Sequence, residues 1–209
     1  MTTAVTTRRS ARKPKGDGHL RRAEILEAAE RIFVAEGYEG ATIRKIADEV
    51  GVSSTALYMH FPDKGCILLE ICERTIIQLL ERNAELAAKP LDPVTRVKQM
   101  LDAYMRWGPE HPNAYQLVFS GTNPVSDVWA ESTAELSARC YEIFSGVVRE
   151  MAAEGRLRTG TADSAAQVLW GACHGVVALL ILRPTFEWAP TEELIQVTLD
   201  GLMHGLVVD

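Results

Sequence analysis

Apolar residues recur along almost the whole chain at helical rather than alternating intervals. Ile25, Leu26, Ala29, Ile32 and Phe33 share one face of a first helix predicted over residues 19–36, and Gly37 ends it. Two short helices follow, over 42–50 with Thr42 as N-cap and over 53–60. Phe61-Pro62 breaks the second, because the residue before a proline avoids the helical region. Asp63 caps a long helix reaching to about residue 88. Asp92-Pro93, His111-Pro112 and Asn123-Pro124 each place a proline in a first helical turn, opening helices to about 107, 120 and 154. Gly155 to Gly160 reads as a turn, and helices over 162–182 and 191–207 complete the chain. No stretch alternates as a strand does. The pattern predicts an all-α fold of about nine helices, with three short ones gathered near the N-terminus.

The segment TIRKIADEVGVSSTALYMHF (residues 42–61) reads as helix, tight turn, helix. Ile43, Ile46, Ala47 and Val50 line the inner face of the first helix, Leu57 and Phe61 that of the second, and Val52 lies in the turn. Ala47 is small where the second helix must cross, and Gly51 can adopt positive φ without steric cost. The outward side chains of the second helix are Ser53, Ser54, Thr55, Ala56, Tyr58, Met59 and His60, with no acid among them. An ordinary surface helix mixes Glu with Lys. A face of hydroxyls and small groups instead suits phosphates and base edges in a DNA groove. Arg44 can fork onto a guanine edge, Thr42 stands at a helix N-terminus suited to a phosphate, and Lys64 lies in the first turn of the long helix. Tyr58 as a core aromatic and His60 as a helix cap are the plainer alternatives. Arg21 and Arg22 fit either phosphates or ion pairs with Glu24 and Glu27.

Gly51 to Lys64, GVSSTALYMHFPDK, resembles the signature of TetR-family regulators, in which a Leu-Tyr-x-His-Phe-x-x-Lys core ends the recognition helix. The likeness runs from about Leu20 to Leu69 and departs from the usual pattern at Gly65 and Cys66. It implies a homodimer in which three N-terminal helices bind DNA, while a C-terminal bundle binds an effector and pairs with a partner. By position it implies phosphate contacts from Thr42, Tyr58, His60 and Lys64. Arg44, Ser54, Thr55 and Ala56 would face bases, with Met59 at the edge. Trp170 to Gly175 resembles a Trp-x-x-x-His-Gly element of one subset of these C-terminal domains. The expected organisation is a basic arm over 1–18, a helix-turn-helix domain over 19–65, and a ligand-binding and dimerisation domain over 66–209.

A net charge of -6 argues against a nucleic-acid partner until its distribution is read. Residues 1–65 carry 11 basic and 9 acidic side chains, a balance of +2, and the remainder carries 11 against 19, a balance of -8. Arg8, Arg9, Arg12, Lys13 and Lys15 form an acid-free arm, readable as a DNA contact or as a solvated tail. Phosphate contact needs local positive charge rather than a basic total. Cys66, Cys72, Cys140 and Cys173 form no metal-binding spacing and suit reduced thiols in a reducing compartment. The strongest apolar run, Gly175 to Leu182, is far shorter than the roughly 20 residues a membrane span needs, and no leader is visible. The expectation is a cytoplasmic, cofactor-free protein with no membrane partner. No HExxH, nucleophile motif or phosphate loop supports an enzyme. A rival is a thiol-based redox regulator using Cys66 and Cys72, with the Cys66 pKa lowered by a helix N-terminus.

In the C-terminal half, Ala165, Val168, Leu169, Ala172, Cys173, Val176, Leu179 and Leu180 read as a core stripe of one helix, and Trp170, His174, Val177 and Ile181 as a second face. With Ile195, Leu199, Leu202 and Leu206 of the last helix they predict a four-helix dimer interface. Aromatics cluster between residues 100 and 145. Core packing accounts for most of them. The sharper expectation is a pocket for an apolar or aromatic effector lined by Met100, Tyr104, Trp107, Phe119, Phe144, Trp170 and His174.

Overall fold

A computed structural model describes residues 18–119 and 127–208, with side chains from 21–119 and 131–208. The basic arm and the Asn123-Pro124 helix start lie outside the described residues. Those described form nine helices: α1 (Gly18–Gly40), α2 (Ile43–Val50), α3 (Ser54–Tyr58), α4 (Lys64–Ala87), α5 (Pro93–Glu110), α6 (Pro112–Phe119), α7 (Asp127–Ala153), α8 (Ala162–Leu182) and α9 (Thr191–Leu206). The chain divides into two compact units, Met1–Ile71 and Cys72–Asp209.

The helix ends follow from cap chemistry. Thr42, Ser53, Asp92 and Thr161 each accept a backbone N–H from the first turn of α2, α3, α5 and α8. The Asp63 carboxylate accepts the Cys66 N–H at 2.8 Å and starts α4. Gly37 takes φ 72°, which breaks α1 as expected, but the chain re-forms a helical turn that runs on to Gly40. α5 continues through Pro109 to Glu110, past the expected end near Trp107. A proline removes only one ladder bond there, and Gly108 is buried beside Val177 and Tyr115.

The core of the first unit is built from Ile25, Leu26, Ala29, Phe33, Ile46, Ala47, Leu57, Phe61, Ile67 and Leu68, all buried. Ile43, Val50 and Val52 are half-buried. The second unit packs α5, α7, α8 and α9 around Met100, Met105, Val148, Met151, Leu169, Cys173, Val177, Ile195 and Leu199.

The stripes expected on α8 are corrected. Its core line is Ala165, Ala166, Leu169, Cys173 and Val177, whereas Val168 and Leu179 are about half exposed. On α9, Ile195 and Leu199 are buried in the chain's own core rather than on an outward face, while Leu202 and Leu206 are half-buried against it. A helix apolar on every side gives periodicity no polar face from which to fix its rotation. α8, at 21 residues, is long and apolar enough by composition alone to cross a membrane.

Candidate functional site

The junction of α2 and α3 is set by Gly51. It takes φ 71°, ψ 36°, its N–H donates to Asp48 O at 3.2 Å, and the Val52 N–H donates to Ala47 O at 2.9 Å. This double closure satisfies the last carbonyls of α2 and turns the chain sharply. Ser53 Oγ then accepts the Ala56 N–H at 3.1 Å and starts α3. Ser53, expected within the second helix, is therefore its cap. Ala47 and Leu57 are fully buried, so the crossing predicted from their sizes is present.

The rest of α3 faces outward. Thr55, Ala56, Tyr58 and Met59 are exposed, Met59 to 84%, while Ser54 and His60 are half-buried. Tyr58 is thus no core aromatic. Thr42 is exposed but its hydroxyl accepts the Lys45 N–H at 3.2 Å, so it caps α2 as well as facing outward. Arg44 is 86% exposed and only loosely paired with Asp48 at 3.8 Å, one helical turn on. Thr42, Arg44, Thr55, Ala56, Tyr58 and Met59 are thus all exposed, and α3 itself carries no carboxylate.

Two basic residues sit differently from expectation. Lys64 Nζ donates to the Tyr38 carbonyl at 2.7 Å and the Ala41 carbonyl at 3.2 Å, and lies 4.1 Å from the centroid of the Tyr38 ring. Two of its three protons are committed to carbonyls at and just beyond the end of α1, and Glu39 Oε2 lies 4.0 Å away. Arg22 pairs with Glu70, donates to the His60 carbonyl at 2.7 Å, and stacks over Phe61 at 4.0 Å. Sequence separation hid this: Glu70 lies far from Arg22 along the chain and is brought beside it only by packing. Arg21, by contrast, pairs with Glu24 at 2.7 Å, the ion pair that their spacing allows.

In the second unit, the aromatic residues expected to line a pocket join one connected cluster. The Tyr104 and Tyr115 hydroxyls lie 2.7 and 2.8 Å from His174 Nδ1, and Tyr115 also donates to the His174 carbonyl at 3.2 Å. Phe119 sits 4.9 Å from the His174 ring and Trp170 5.5 Å from it. Trp107 reaches the cluster through Tyr115, and Phe144 through Tyr141 and Trp170. Met100 is buried in the same core. Tyr115 and Tyr141, absent from the expected lining, are the links that complete the cluster. Burial raises the pKa of Tyr104 and pushes Tyr115 up to about 12, and it lowers that of His174, so burial favours the neutral form of all three.

The surroundings of Cys66, Cys140 and Cys173 each disfavour a thiolate. Partial burial, and then the Asp63 carboxylate beside it, raise the Cys66 pKa, opposite to the lowering expected from the helix N-terminus. Cys72 is buried with its sulfur 3.7 Å from the Leu117 carbonyl. Burial pushes Cys173 up to about 12.

The outward face of α8 and α9 is lined by small and apolar groups. Val168, Leu179 and Leu182 on α8 and Val197 on α9 are exposed. Gly171 and Gly175 on α8 and Gly201 and Gly205 on α9 are positions where an added Cβ would meet nothing within 4 Å.

Comparison with known proteins agrees with both halves. Residues 25–71 match the family described as bacterial regulatory proteins, tetR family, and residues 97–202 match the tetracyclin repressor-like C-terminal domain. The chain is 42% identical over 66 residues to the HTH-type transcriptional repressor AcnR of Corynebacterium diphtheriae, covering 32% of this chain and 35% of AcnR. It is 30% identical over 112 residues to the HTH-type transcriptional activator FasR of Mycolicibacterium smegmatis, covering 54% of this chain and 50% of FasR. The matched region thus spans half or less of these two relatives. The crystal structure of the TetR-family regulator PfmR from Thermus thermophilus has the same fold, with a TM-score of 0.76 at 24% identity over 87% of this chain and 97% of PfmR.

Proposed function

The chain belongs to the TetR family, and from that premise we propose that it is a homodimeric, ligand-responsive regulator of transcription, acting as a repressor in the cytoplasm on a near-palindromic DNA operator. The observation that carries the reading is the exposed, acid-free face of α3, held on the Gly51 turn. Ser54, Thr55, Ala56 and Arg44 face base edges, Thr42, Tyr58 and His60 take phosphates, and Met59 lies at the edge. Lys64 adds a phosphate contact only through its third proton. Two such faces in a dimer stand one DNA turn, about 34 Å, apart.

The outward stripe of α8 and α9 supplies the dimer contact. Open space around a Cβ at Gly171, Gly175, Gly201 and Gly205 supports close backbone approach across a four-helix interface. Pairing there covers the apolar surface that α8 otherwise leaves to water, so its composition needs no lipid. The aromatic cluster around His174 receives an apolar or aromatic effector, and a ligand that prefers another conformer lowers DNA affinity by the same coupling.

Fluorescence anisotropy with the duplex this protein enriches from a random pool, against an unrelated duplex of equal length, tests the reading. Wild-type protein prefers the enriched duplex at moderate salt, and Arg44→Ala loses about 1–3 kcal/mol of that preference. Equal binding to both duplexes would remove the operator claim.

A further inference from the structure

The geometry points to Arg22 as a positioning residue for DNA recognition: it fixes the exit of the recognition helix and ties that exit to α4 through Glu70. The inference rests on the DNA-binding reading of α3. α3 has only five residues, too few to hold a direction by itself. Its entry is fixed by the Gly51 turn and the Ser53 cap. At its exit, the His60 and Phe61 N–H groups both donate to the Leu57 carbonyl, at 2.9 and 3.0 Å. The His60 carbonyl, beyond the helix, is taken by Arg22 Nη1 at 2.7 Å. The same guanidinium covers the Phe61 ring at 4.0 Å. Its remaining two nitrogens go to the two Glu70 oxygens, Nε to Oε1 at 2.8 Å and Nη2 to Oε2.

One planar fork therefore holds residues 60 and 61 against α1 while facing a carboxylate on α4. A lysine in its place would offer one point charge, without the fork's geometry. Glu70 neutralises the guanidinium, so Arg22 is not a phosphate anchor, although its place among basic residues near the N-terminus suggests one. Glu70 lies near the end of the first unit, on the helix that continues past Ile71. The Arg22 side chain thus links α4 at Glu70 directly to the His60 carbonyl.

The test uses full-length Arg22→Gln and Glu70→Gln proteins, the duplex enriched by the wild-type protein, and a random duplex of equal length, titrated at several salt concentrations. Both variants are expected to bind the enriched duplex about ten-fold or more weaker. Binding to the random duplex and the slope of affinity against salt stay at wild-type values. A phosphate contact from Arg22 would instead make the salt slope of the dimer shallower by about 1.8 in Arg22→Gln, roughly 0.9 for each protomer, and that result overturns the inference. So does wild-type affinity in Glu70→Gln, which also decides the matter if Arg22→Gln fails to fold. If the wild-type protein enriches no duplex, the DNA-binding reading falls and this inference with it, an outcome distinct from variants that bind like wild type.

Discussion

The two units of this chain hold their functional residues by different physics. In the first, backbone geometry decides: a left-handed glycine, two hydroxyl caps and an arginine on a carbonyl orient a five-residue helix whose outer side chains are left free. In the second, packing decides: aromatic rings and two phenols close on one imidazole inside a core of long helices. Geometry of the first kind tolerates change on the outward face and little in the turn. Packing of the second kind is sensitive to volume at almost every inward position.

Four perturbations sharpen that contrast, in descending order of effect. Leucine at both Gly175 and Gly205, where a Cβ meets nothing within 4 Å, adds bulk to the proposed interface. Sedimentation should then show loss of the dimer, with helical content kept; a dimer of unchanged affinity would place the interface elsewhere. Gly108→Ala is next. A Cβ there would stand 2.2 Å from Val177 Cγ1, a buried and rotationally stiff side chain. Overpacking of this kind costs about 1–3 kcal/mol by denaturant unfolding, and adding Val177→Ala should recover part of it. Strict additivity of the two changes would contradict the close α5–α8 approach.

Gly51→Ala, by contrast, meets no neighbour within 4 Å and should cost about 1 kcal/mol through its positive φ alone. No change in stability would mean that the turn relaxes. The smallest effect is on pH dependence. The folded His174 pKa lies below the ordinary 6.5, so the unfolded chain binds the proton more readily. Stability from this group is full above about 6.5 and is lost as the pH falls through the folded value. His174→Phe should flatten that part of a melting-temperature profile, and an unchanged profile would show that burial of the imidazole is not its source.

The same contrast explains what the sequence revealed. Gly51, Ala47, Leu57, Thr42 and Asp63 were legible because each answers a local demand: a positive φ, a close crossing, a cap. Helix positions followed from prolines and caps for the same reason. The rotation of α8 was not legible. Its apolar residues occupy every side, so Val168 and Leu179 read as core although the core line runs through Ala166, Cys173 and Val177. Ile195 and Leu199 were misplaced for the related reason that heptad-like spacing does not distinguish a partner's core from the chain's own. The Arg22–Glu70 contact and the Tyr115 link to His174 depend on long-range packing, which no local pattern encodes. Cys66 shows a competition that spacing left open, since the Asp63 cap that starts α4 also places a carboxylate beside the thiol.

Sequencing the duplexes that the purified protein enriches from a fully random pool addresses the α3 surface most directly. Two inverted half-sites are expected, with centres about one helical turn apart. That enrichment should be lost when Ser54, Thr55 and Tyr58 are together replaced by alanine in a protein that remains folded. Enrichment of no motif by the wild-type protein, or of the same motif by the triple variant, would contradict the assignment of α3 as the surface that reads DNA.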